Sequence, residues 1–306
     1  MTKRNLTLGT ASGKLGSVVY FRRRGQQIAR VLVSSVNDRR SIAQCRQRAR
    51  FANSVALWRA LRPYVGVSWR GVSRYGSPEN AFYHHNRGLM PTCSRNMSRA
   101  GSAFPCLGII TYGSLPVDVR FTAQFATGTG AYKGLMSFSI LTSTPMGKPL
   151  FASILFNIIQ SVSQGIEDSD VIHIIAMAYG AADSTSNIVE SAEQHAPQVY
   201  HVGLSKSMTE VALTEIAPWL RCEPATTPLN EFALGFDIMP DWLPDDPDNG
   251  FVDYVMTMFV ERPRNPPYAR FSRSRFLGDN SIIGLLRNLC NDTAYSDLFA
   301  ETFRNV

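Results

Sequence analysis

The sequence lacks the paired or clustered residues that mark a disulfide framework or a metal centre. Its five cysteines are odd in number, lie far apart and include no Cys-x-x-Cys pair, which favours a reducing compartment and argues against a zinc site. No apolar run approaches the roughly 18–20 residues of a membrane span, and the longest cover residues 151–159 and 171–179. No apolar segment follows the basic residues at the N-terminus, so we expect no secretory signal peptide.

Nucleotide and calcium motifs are missing as well. Residues 9–15 resemble a P-loop, but the glycine spacing is too short and a strand pattern follows instead of a helix. The glycines of residues 128–134 do not have the dinucleotide-binding spacing. The acidic residues at 245–250 lack the sixth-position glycine and the closing glutamate of a calcium loop. We therefore expect no cofactor and no metal.

Few histidines are available for catalysis, and none has an evident partner. His84 and His85 are adjacent, so on a helix they would point about 100° apart and could not share a metal. His173 lies in an apolar strand pattern with no nucleophile in sight, which favours a hydrogen-bonded core or rim position. These absences predict a non-enzymatic protein without a small-molecule substrate. A hydrolase is the less favoured alternative.

Acidic residues are nearly absent from the first third of the chain. Residues 1–105 hold 19 lysines and arginines against two acids, a net charge of +17, whereas residues 106–306 hold 12 against 22, a net charge of −10. Only two of the basic residues in the first stretch are lysines. Arginine binds phosphates and carboxylates through two parallel hydrogen bonds, so this composition predicts an anionic partner, either nucleic acid or an acidic protein surface.

Within this basic stretch the pattern predicts a β-hairpin and a long helix after a polar, Gly/Ser-rich arm at residues 1–15. Residues 17–22 and 27–33 alternate in the manner of strands around a turn that contains Gly25. Asn37 or Asp38 can cap a helix that runs to about Arg62 and is stopped by Pro63. The candidate residues for binding a polyanion or a partner are Arg22, Arg23, Arg24, Arg30, Arg39, Arg46, Arg48, Arg50, Arg59 and Arg62.

One narrow stripe of small apolar residues runs along the predicted helix. Its members recur at spacings of three and four and are Ile42, Cys45, Ala49, Ala52 and Ala56. Arginines lie on both flanks of this stripe, and no acid follows Asp38 in the helix. A solvated basic face is the ordinary interpretation, but charges of one sign at these spacings repel one another, which favours an anionic partner. The helix shows no evident set of Asn or Gln base readers, so any nucleic-acid binding is predicted to be non-specific.

The rest of the chain predicts mostly strands, with short turns and no βαβ rhythm. A short helix is expected over residues 77–86, a loop-like boundary over 88–105, a helical turn near 186–194 and one or two helices over 280–303. The strand patterns cover residues 106–112, 119–125, 136–141, 151–159, 171–179, 198–203, 232–238, 251–261 and 268–277. The predicted class is α+β, with a basic hairpin-helix module (1–105), an antiparallel β-sandwich (106–279) and a C-terminal helical segment (280–306).

Three segments resemble a Bacteroidetes domain family of unknown function that occurs in bacterial genomes and in phages or prophages of those hosts. The matching segments are GKLGSVVY at residues 13–20, QCRQRARF at residues 44–51 and ITYGSLP at residues 110–116. The resemblance implies an N-terminal hairpin-helix module on an immunoglobulin-like β-domain, and a component of a virion or a mobile element. It implies no catalytic residues. This chain departs from the family in its extra material after residue 280 and in longer insertions between strands.

Two functions follow as hypotheses. The first is a structural or assembly protein of a phage particle, such as a ring, connector or tail-associated subunit, located in the virion or the host cytoplasm. Its partners would be further copies of itself or other virion proteins, bound through opposite charges. The second is a non-specific nucleic-acid-binding protein that places the N-terminal arginines on phosphates. No membrane partner is expected.

Overall fold

The chain divides into two compact units, Met1–Ser41 and Ile42–Val306. The computed structural model describes residues 3–5, 10–23, 25–33, 35, 41–72, 76–90, 109–119, 125–127, 133–138, 152–181, 198–224, 232–237, 251–263 and 270–277. The predicted helix cap at Asn37 or Asp38, the helical turn near 186–194, the acidic turn at 245–250 and the helices over 280–303 lie outside these residues.

The first unit is a four-stranded antiparallel sheet whose strands follow one another in chain order. The strands are β1 (Lys3–Asn5), β2 (Thr10–Leu15), β3 (Val18–Arg23) and β4 (Gln26–Val31). Two-residue turns join β2 to β3 and β3 to β4, and each turn contains a glycine with positive φ, 57° at Gly16 and 81° at Gly25. The hairpin predicted over residues 17–33 is confirmed.

The polar arm predicted over residues 1–15 is instead the pair β1 and β2. The segment TASGKL of β2 is poor in β-branched and aromatic residues, so its local strand signal is weak. Pairing with β3 stabilises β2 as a strand. In this pairing Lys14 lies opposite Val19, and Leu15 lies opposite Val18. The hydrogen bonds of a neighbouring strand have decided the conformation here.

The second unit begins with α1 (Ile42–Val65), a short 3₁₀ helix (Gly66–Trp69) and α2 (Pro78–Asn86). The predicted start of α2 is confirmed, since the Ser77 hydroxyl accepts a hydrogen bond from the Asn80 backbone N–H at 3.2 Å. Helix α1 does not end at Pro63 as predicted, but continues to Val65 and into the 3₁₀ helix. Leu61 and Val65 are fully buried, and this packing holds the last turn although Pro63 cannot donate its hydrogen bond.

The centre of the second unit is an antiparallel sheet in the order β12-β11-β7-β8. Its strands are β7 (Val171–Ala181), β8 (Gln198–Leu204), β11 (Phe251–Glu261) and β12 (Arg275–Leu277). The strands predicted over 171–179, 198–203 and 251–261 are therefore confirmed. The predicted pairing of residues 251–261 with the segment ending at 277 is confirmed by the register of Met258 against Arg275.

Helices pack on both faces of this central sheet. On one face, Ile172, Ile174 and Ala176 share a core with α3 (Ala152–Val162) and α4 (Glu210–Ile216). On the other face, Ile175 and Met177 share a second core with α1, the 3₁₀ helix and α2. Successive residues of a strand point to opposite faces, which is why one strand serves both cores. The α+β class is confirmed, and the immunoglobulin-like sandwich is not.

A further antiparallel sheet has the order β5-β6-β10-β9. Its strands are β5 (Phe125–Thr127), β6 (Lys133–Phe138), β9 (Leu220–Pro224) and β10 (Phe232–Asp237). Strands near β6 and β10 were expected from the sequence, whereas β9 and helix α4 were not.

Two of the predicted strands take other conformations. The run at 151–159 is the helix α3, because its buried residues Ala152, Leu155, Phe156 and Ile159 repeat at spacings of three and four. A short apolar run fits a buried strand equally well, and periodicity alone does not separate the two. The described part of 106–112 is also not a strand. Its backbone is held by other contacts, such as the indole N–H of Trp69 donating to the Ile110 carbonyl at 2.8 Å.

The compact units do not separate near residue 105. Trp69 and Phe82 from the helical segment are buried in the same core as Ile175, Phe259 and Phe271 from the later strands. The expected hairpin-helix module is therefore split, with the hairpin in the first unit and the helix in the core of the second. Burying large apolar side chains contributes about 1.5–3 kcal/mol each, so this shared core ties α1 and α2 to the central sheet.

Candidate functional site

The arginines of the first unit lie on both faces of its sheet. Arg22, Arg23 and Arg30 are exposed, and Arg24 is outside the described residues. Arg22 and Arg23 follow each other in β3 and so point to opposite faces of the sheet. The Arg30 guanidinium lies 5.6 Å from the centre of the Phe21 ring.

Cross-strand pairing places a row with Lys14 and Arg30 on one face of the first sheet, which we call the basic face, and an apolar row on the opposite face, which also carries Arg22. Side chains of paired residues share a face, so Lys14, Val19 and Arg30 form one row across β2, β3 and β4. The neighbouring row on the opposite face is Leu15, Val18 and Val31. We call this second row the apolar row.

The apolar row is open to solvent. Leu15 is 42% exposed and Val31 is 70% exposed, and Val18 is half-buried. Among the residues of the first unit whose burial is described, none is buried. A small sheet needs an apolar face packed against something for independent stability, and contiguous exposed apolar surface marks an interaction site. The apolar row is therefore a candidate interaction surface.

The arginines of α1 fall into three groups. Arg48, Arg59 and Arg62 are exposed, and at 100° per residue they occupy one side of the helix. Arg50 is half-buried, and its Nε atom is buried without a hydrogen-bond partner. The side chain of Arg46 is not among those that the structure describes. Arg39 precedes α1 and also lies outside the described residues.

The core-facing side of α1 differs from the predicted stripe of small residues. The buried side chains among those described are Asn53, Ser54, Leu57, Trp58, Leu61 and Val65. Of the predicted stripe, Ala52 and Ala56 are half-buried, and the side chains of the other three members are not described. Large residues rather than small ones make the contact, because the helix packs over the rings of α2 and the 3₁₀ helix.

The N-terminal half of α1 extends beyond the core. Every side chain described between residues 43 and 51 is exposed except Arg50, which is half-buried. Phe51 is 57% exposed, and its ring forms an edge-to-face pair with the ring of Tyr83, with 5.3 Å between ring centres. Burial, followed by the charge of Glu79, raises the pKa of Tyr83 to about 12, so its hydroxyl is neutral at physiological pH.

Long-range contacts build a polar network on the central sheet around His173. Its Nδ1 lies 2.9 Å from Nε2 of His201, and its Nε2 lies 3.1 Å from a carboxylate oxygen of Glu261. Glu261 also pairs with Arg270. The His173 ring stacks between Phe259 and His201, at 4.7 and 5.2 Å between ring centres. The expectation that His173 is a hydrogen-bonded residue of a half-buried strand agrees with this geometry.

Burial keeps both histidines of this network neutral. It lowers the pKa of His173 to about 4, with a further contribution from Arg270, and it lowers the pKa of His201 to about 4, with a contribution from His173. A carboxylate can only accept, so His173 donates from Nε2 and its Nδ1 accepts from Nε2–H of His201. Gly203 lies opposite His173, and a Cβ there would lie 3.5 Å from the imidazole.

Sequence reasoning missed this network because its members are far apart in the chain. His201 is 28 residues from His173, and Glu261 is 88 residues away. The one local signal was a polar residue within each apolar strand pattern. Tyr64 of α1 covers the His201 ring at 4.7 Å between centres, and the network is therefore enclosed between helix and sheet.

A second polar cluster clamps the start of β7 to the end of β11. The Arg262 guanidinium donates through Nε and Nη2 to the two carboxylate oxygens of the fully buried Asp170, at 2.8 Å each. The hydrogen bond with Asp170 raises the pKa of Arg262. A third donor to Asp170 is the backbone N–H of Glu167 at 2.8 Å. These contacts satisfy the buried charge and serve the fold.

An open cavity of about 780 Å³ lies between residues 112–118, 164–165 and 273–274. Its charged and amide lining comes from Asp118, Gln164 and Arg273. In the part of the chain that the structure describes, no three histidine, cysteine, aspartate or glutamate residues group in a way that could hold a metal ion. No described helix is both long and apolar enough to span a membrane.

Comparison with known proteins identifies no family for this chain. No protein-family model matches the chain. Neither the curated proteins nor the solved structures contain a match.

Proposed function

We propose that this chain is a non-enzymatic structural or assembly protein of a bacteriophage particle, such as a ring, connector or tail-associated subunit, and that its first unit docks on a further copy of the chain. The observation that carries the proposal is the exposed apolar row, Leu15, Val18 and Val31, on a sheet without a buried residue among those described. Such a sheet gains stability when a partner covers its apolar face.

The charge distribution supports a second copy as the partner. The first unit carries nine lysines and arginines against one acid, whereas residues 106–306 carry a net charge of −10. Opposite charges on identical subunits favour head-to-tail contacts, which close into rings when the rotation permits. Location in a virion or in the host cytoplasm belongs to the same proposal.

The test is the oligomeric state of the full chain, measured by native mass spectrometry and light scattering at low and high salt. We expect oligomers that dissociate when Val31→Glu places a charge in the apolar row. Gln26→Glu is the matched control, because it changes the charge equally on the same strand but on the basic face. A salt-insensitive monomer, or equal effects of both variants, would contradict the proposal.

A second candidate is nucleic-acid contact through the basic surface of α1. The observation that favours it is a 24-residue helix with five arginines and no acid, of which Arg48, Arg59 and Arg62 are exposed. Filter binding of the full chain to duplex DNA should weaken steeply with salt, with a logarithmic slope of about −0.9 per phosphate contacted. Absence of binding at low salt would remove this candidate and leave the assembly proposal standing.

A further inference from the structure

One side of α1 carries groups that can read base edges. Gln44, Gln47, Arg48 and Phe51 follow the spacing i, i+3, i+4, i+7, which places them side by side on a helix. All four are exposed. We call this set the exposed quartet.

We propose that the exposed quartet enters the major groove of double-stranded DNA and gives the chain a sequence preference. The inference rests on the second candidate function, nucleic-acid contact, and is independent of the assembly role. The sequence alone predicted non-specific binding, because the helix shows no evident set of Asn or Gln base readers. The structure places Gln44 and Gln47 on turns of α1 whose described side chains are mostly exposed.

The position of the quartet suits a groove. Among the α1 residues whose burial is described, the first buried one is Asn53, and the exposed quartet precedes it. The major groove is about 12 Å wide and admits an α-helix. A helix that is packed along its whole length could not enter it, whereas the N-terminal half of α1 can.

The chemistry of the quartet matches the base edges of the groove. Glutamine can donate and accept together with adenine, arginine can donate twice to guanine, and an apolar side chain can contact the thymine methyl group. Gln44 and Phe51 are seven residues apart, about 10.5 Å along the helix. At 3.4 Å per base pair this is roughly three base pairs. Gln44 and Arg48 also interact within the chain, and base contacts would replace those interactions.

The charge of the helix favours DNA over a second copy of the first unit. That unit is itself basic, and α1 contains no acid, so the two would repel. Arg59 and Arg62 continue the same side of α1 toward its C-terminal end. Arg62 lies 18 residues from Gln44, about 27 Å along the axis, which is beyond the width of the groove and within reach of the phosphates.

The experiment is selection of duplexes from a random pool by the full chain, followed by binding titrations on the selected and the scrambled sequence. We expect enrichment of a motif of about three base pairs. Gln44→Ala and Arg48→Ala should each weaken binding to the selected sequence by roughly 5- to 140-fold and to the scrambled one far less. Both sites are exposed, and circular dichroism checks that the variants fold.

Phosphate contacts give a different signature. Arg59→Gln and Arg62→Gln should weaken binding to every sequence alike and should reduce the salt slope by about 0.9 each. Arg70→Gln is the matched control, because Arg70 is exposed but lies outside α1, and it should change neither quantity.

Each possible outcome decides a different point. Binding without an enriched motif would overturn the base-reading role of the quartet, while nucleic-acid contact would stand. Equal or tighter binding to single strands would overturn the groove geometry. Complete absence of binding at low salt would remove both this inference and the second candidate, while the oligomer measurement continues to test the assembly proposal.

Discussion

At the scale of single residues, this protein solves the problem of buried polarity in two ways on one sheet. His173 and His201 are kept neutral by burial, whereas the carboxylate of the buried Asp170 accepts hydrogen bonds from Arg262 at both of its oxygens. Neutral rings need only one donor and one acceptor each, but a buried carboxylate needs several donors.

Protonation of the histidines should destabilise the folded chain as the pH falls. Their pKa values are about 4 in the folded state and near 6.5 when unfolded. Between about pH 6.5 and 4 the unfolded chain therefore binds more protons, so the free energy of unfolding decreases and then levels off below about pH 4. For His173 alone the loss is on the order of 3 kcal/mol.

Urea denaturation over pH 4–7.5 measures this effect. His201→Gln should flatten the curve relative to the unsubstituted chain, because one of the two titrating rings is gone. His84→Gln, an exposed histidine outside the network, is the control and should leave the curve unchanged. Parallel curves for all three proteins would show that the network does not control acid stability.

The two neighbouring ion pairs of the second unit should differ sharply when broken. Asp170→Asn removes the charge of a fully buried carboxylate and leaves Arg262, whose side chain is 17% exposed, without its main partner, at an expected cost of about 1.5–3 kcal/mol. Asp168→Asn breaks the exposed pair with Lys206 and should leave stability unchanged within error. Denaturation midpoints of the two variants check this, and similar values for both would contradict it.

At the scale of elements, the segment 109–119 is held by close approach to the segment before β12. The Leu115 backbone N–H donates to the Phe271 carbonyl at 3.2 Å, and the Ser274 hydroxyl accepts from the Ile110 N–H at 2.9 Å. A Cβ at Gly113 would overlap the Phe271 carbonyl oxygen. Glycine is needed here because two backbones touch, which a local reading of a Gly-Ser-Leu-Pro turn does not reveal.

Gly113→Ala should therefore destabilise the second unit by about 3 kcal/mol, because the backbone of one segment must shift. Gly88→Ala is the matched control, since a Cβ there meets nothing within 4 Å. Thermal unfolding measures both variants. An unchanged melting temperature for Gly113→Ala would mean that the two segments do not approach this closely in solution.

At the scale of the whole molecule, the two units differ in how they are stabilised. The second unit contains two hydrophobic cores on opposite faces of its central sheet. None of the residues of the first unit whose burial is described is buried. Among the described residues, the buried apolar side chains that stabilise the fold therefore lie in the second unit, and the first unit contributes exposed and half-buried surface.

A chain that starts at Ile42 should fold with a melting temperature close to that of the full chain, because among the described residues no buried member of either core precedes Leu57. If the assembly proposal holds, this shortened chain should also be monomeric. Calorimetry and light scattering measure the two properties separately. Loss of cooperative unfolding in the shortened chain would show that the first unit contributes to the core after all.

The sequence by itself determined the features that depend on neighbours in the chain. Glycine at the turn predicted the hairpin of β3 and β4, Ser77 and Pro78 predicted the start of α2, and apolar strand patterns predicted β7 and β11. The imbalance of charge between the two parts of the chain is also a property of sequence alone. The turn, cap and strand signals each act within a few residues.

Tertiary structure decided the rest, because the deciding contacts join residues that are distant in the chain. Residues 152–162 form a helix whose buried apolar side chains pack on one face of the central sheet. His173 found partners 28 and 88 residues away. Among the described side chains of α1, burial begins at Asn53, and Gln44 and Gln47 are exposed because the turns that carry them precede the core contacts. Burial is a property of the assembled fold, and periodicity along one segment cannot specify what will cover it.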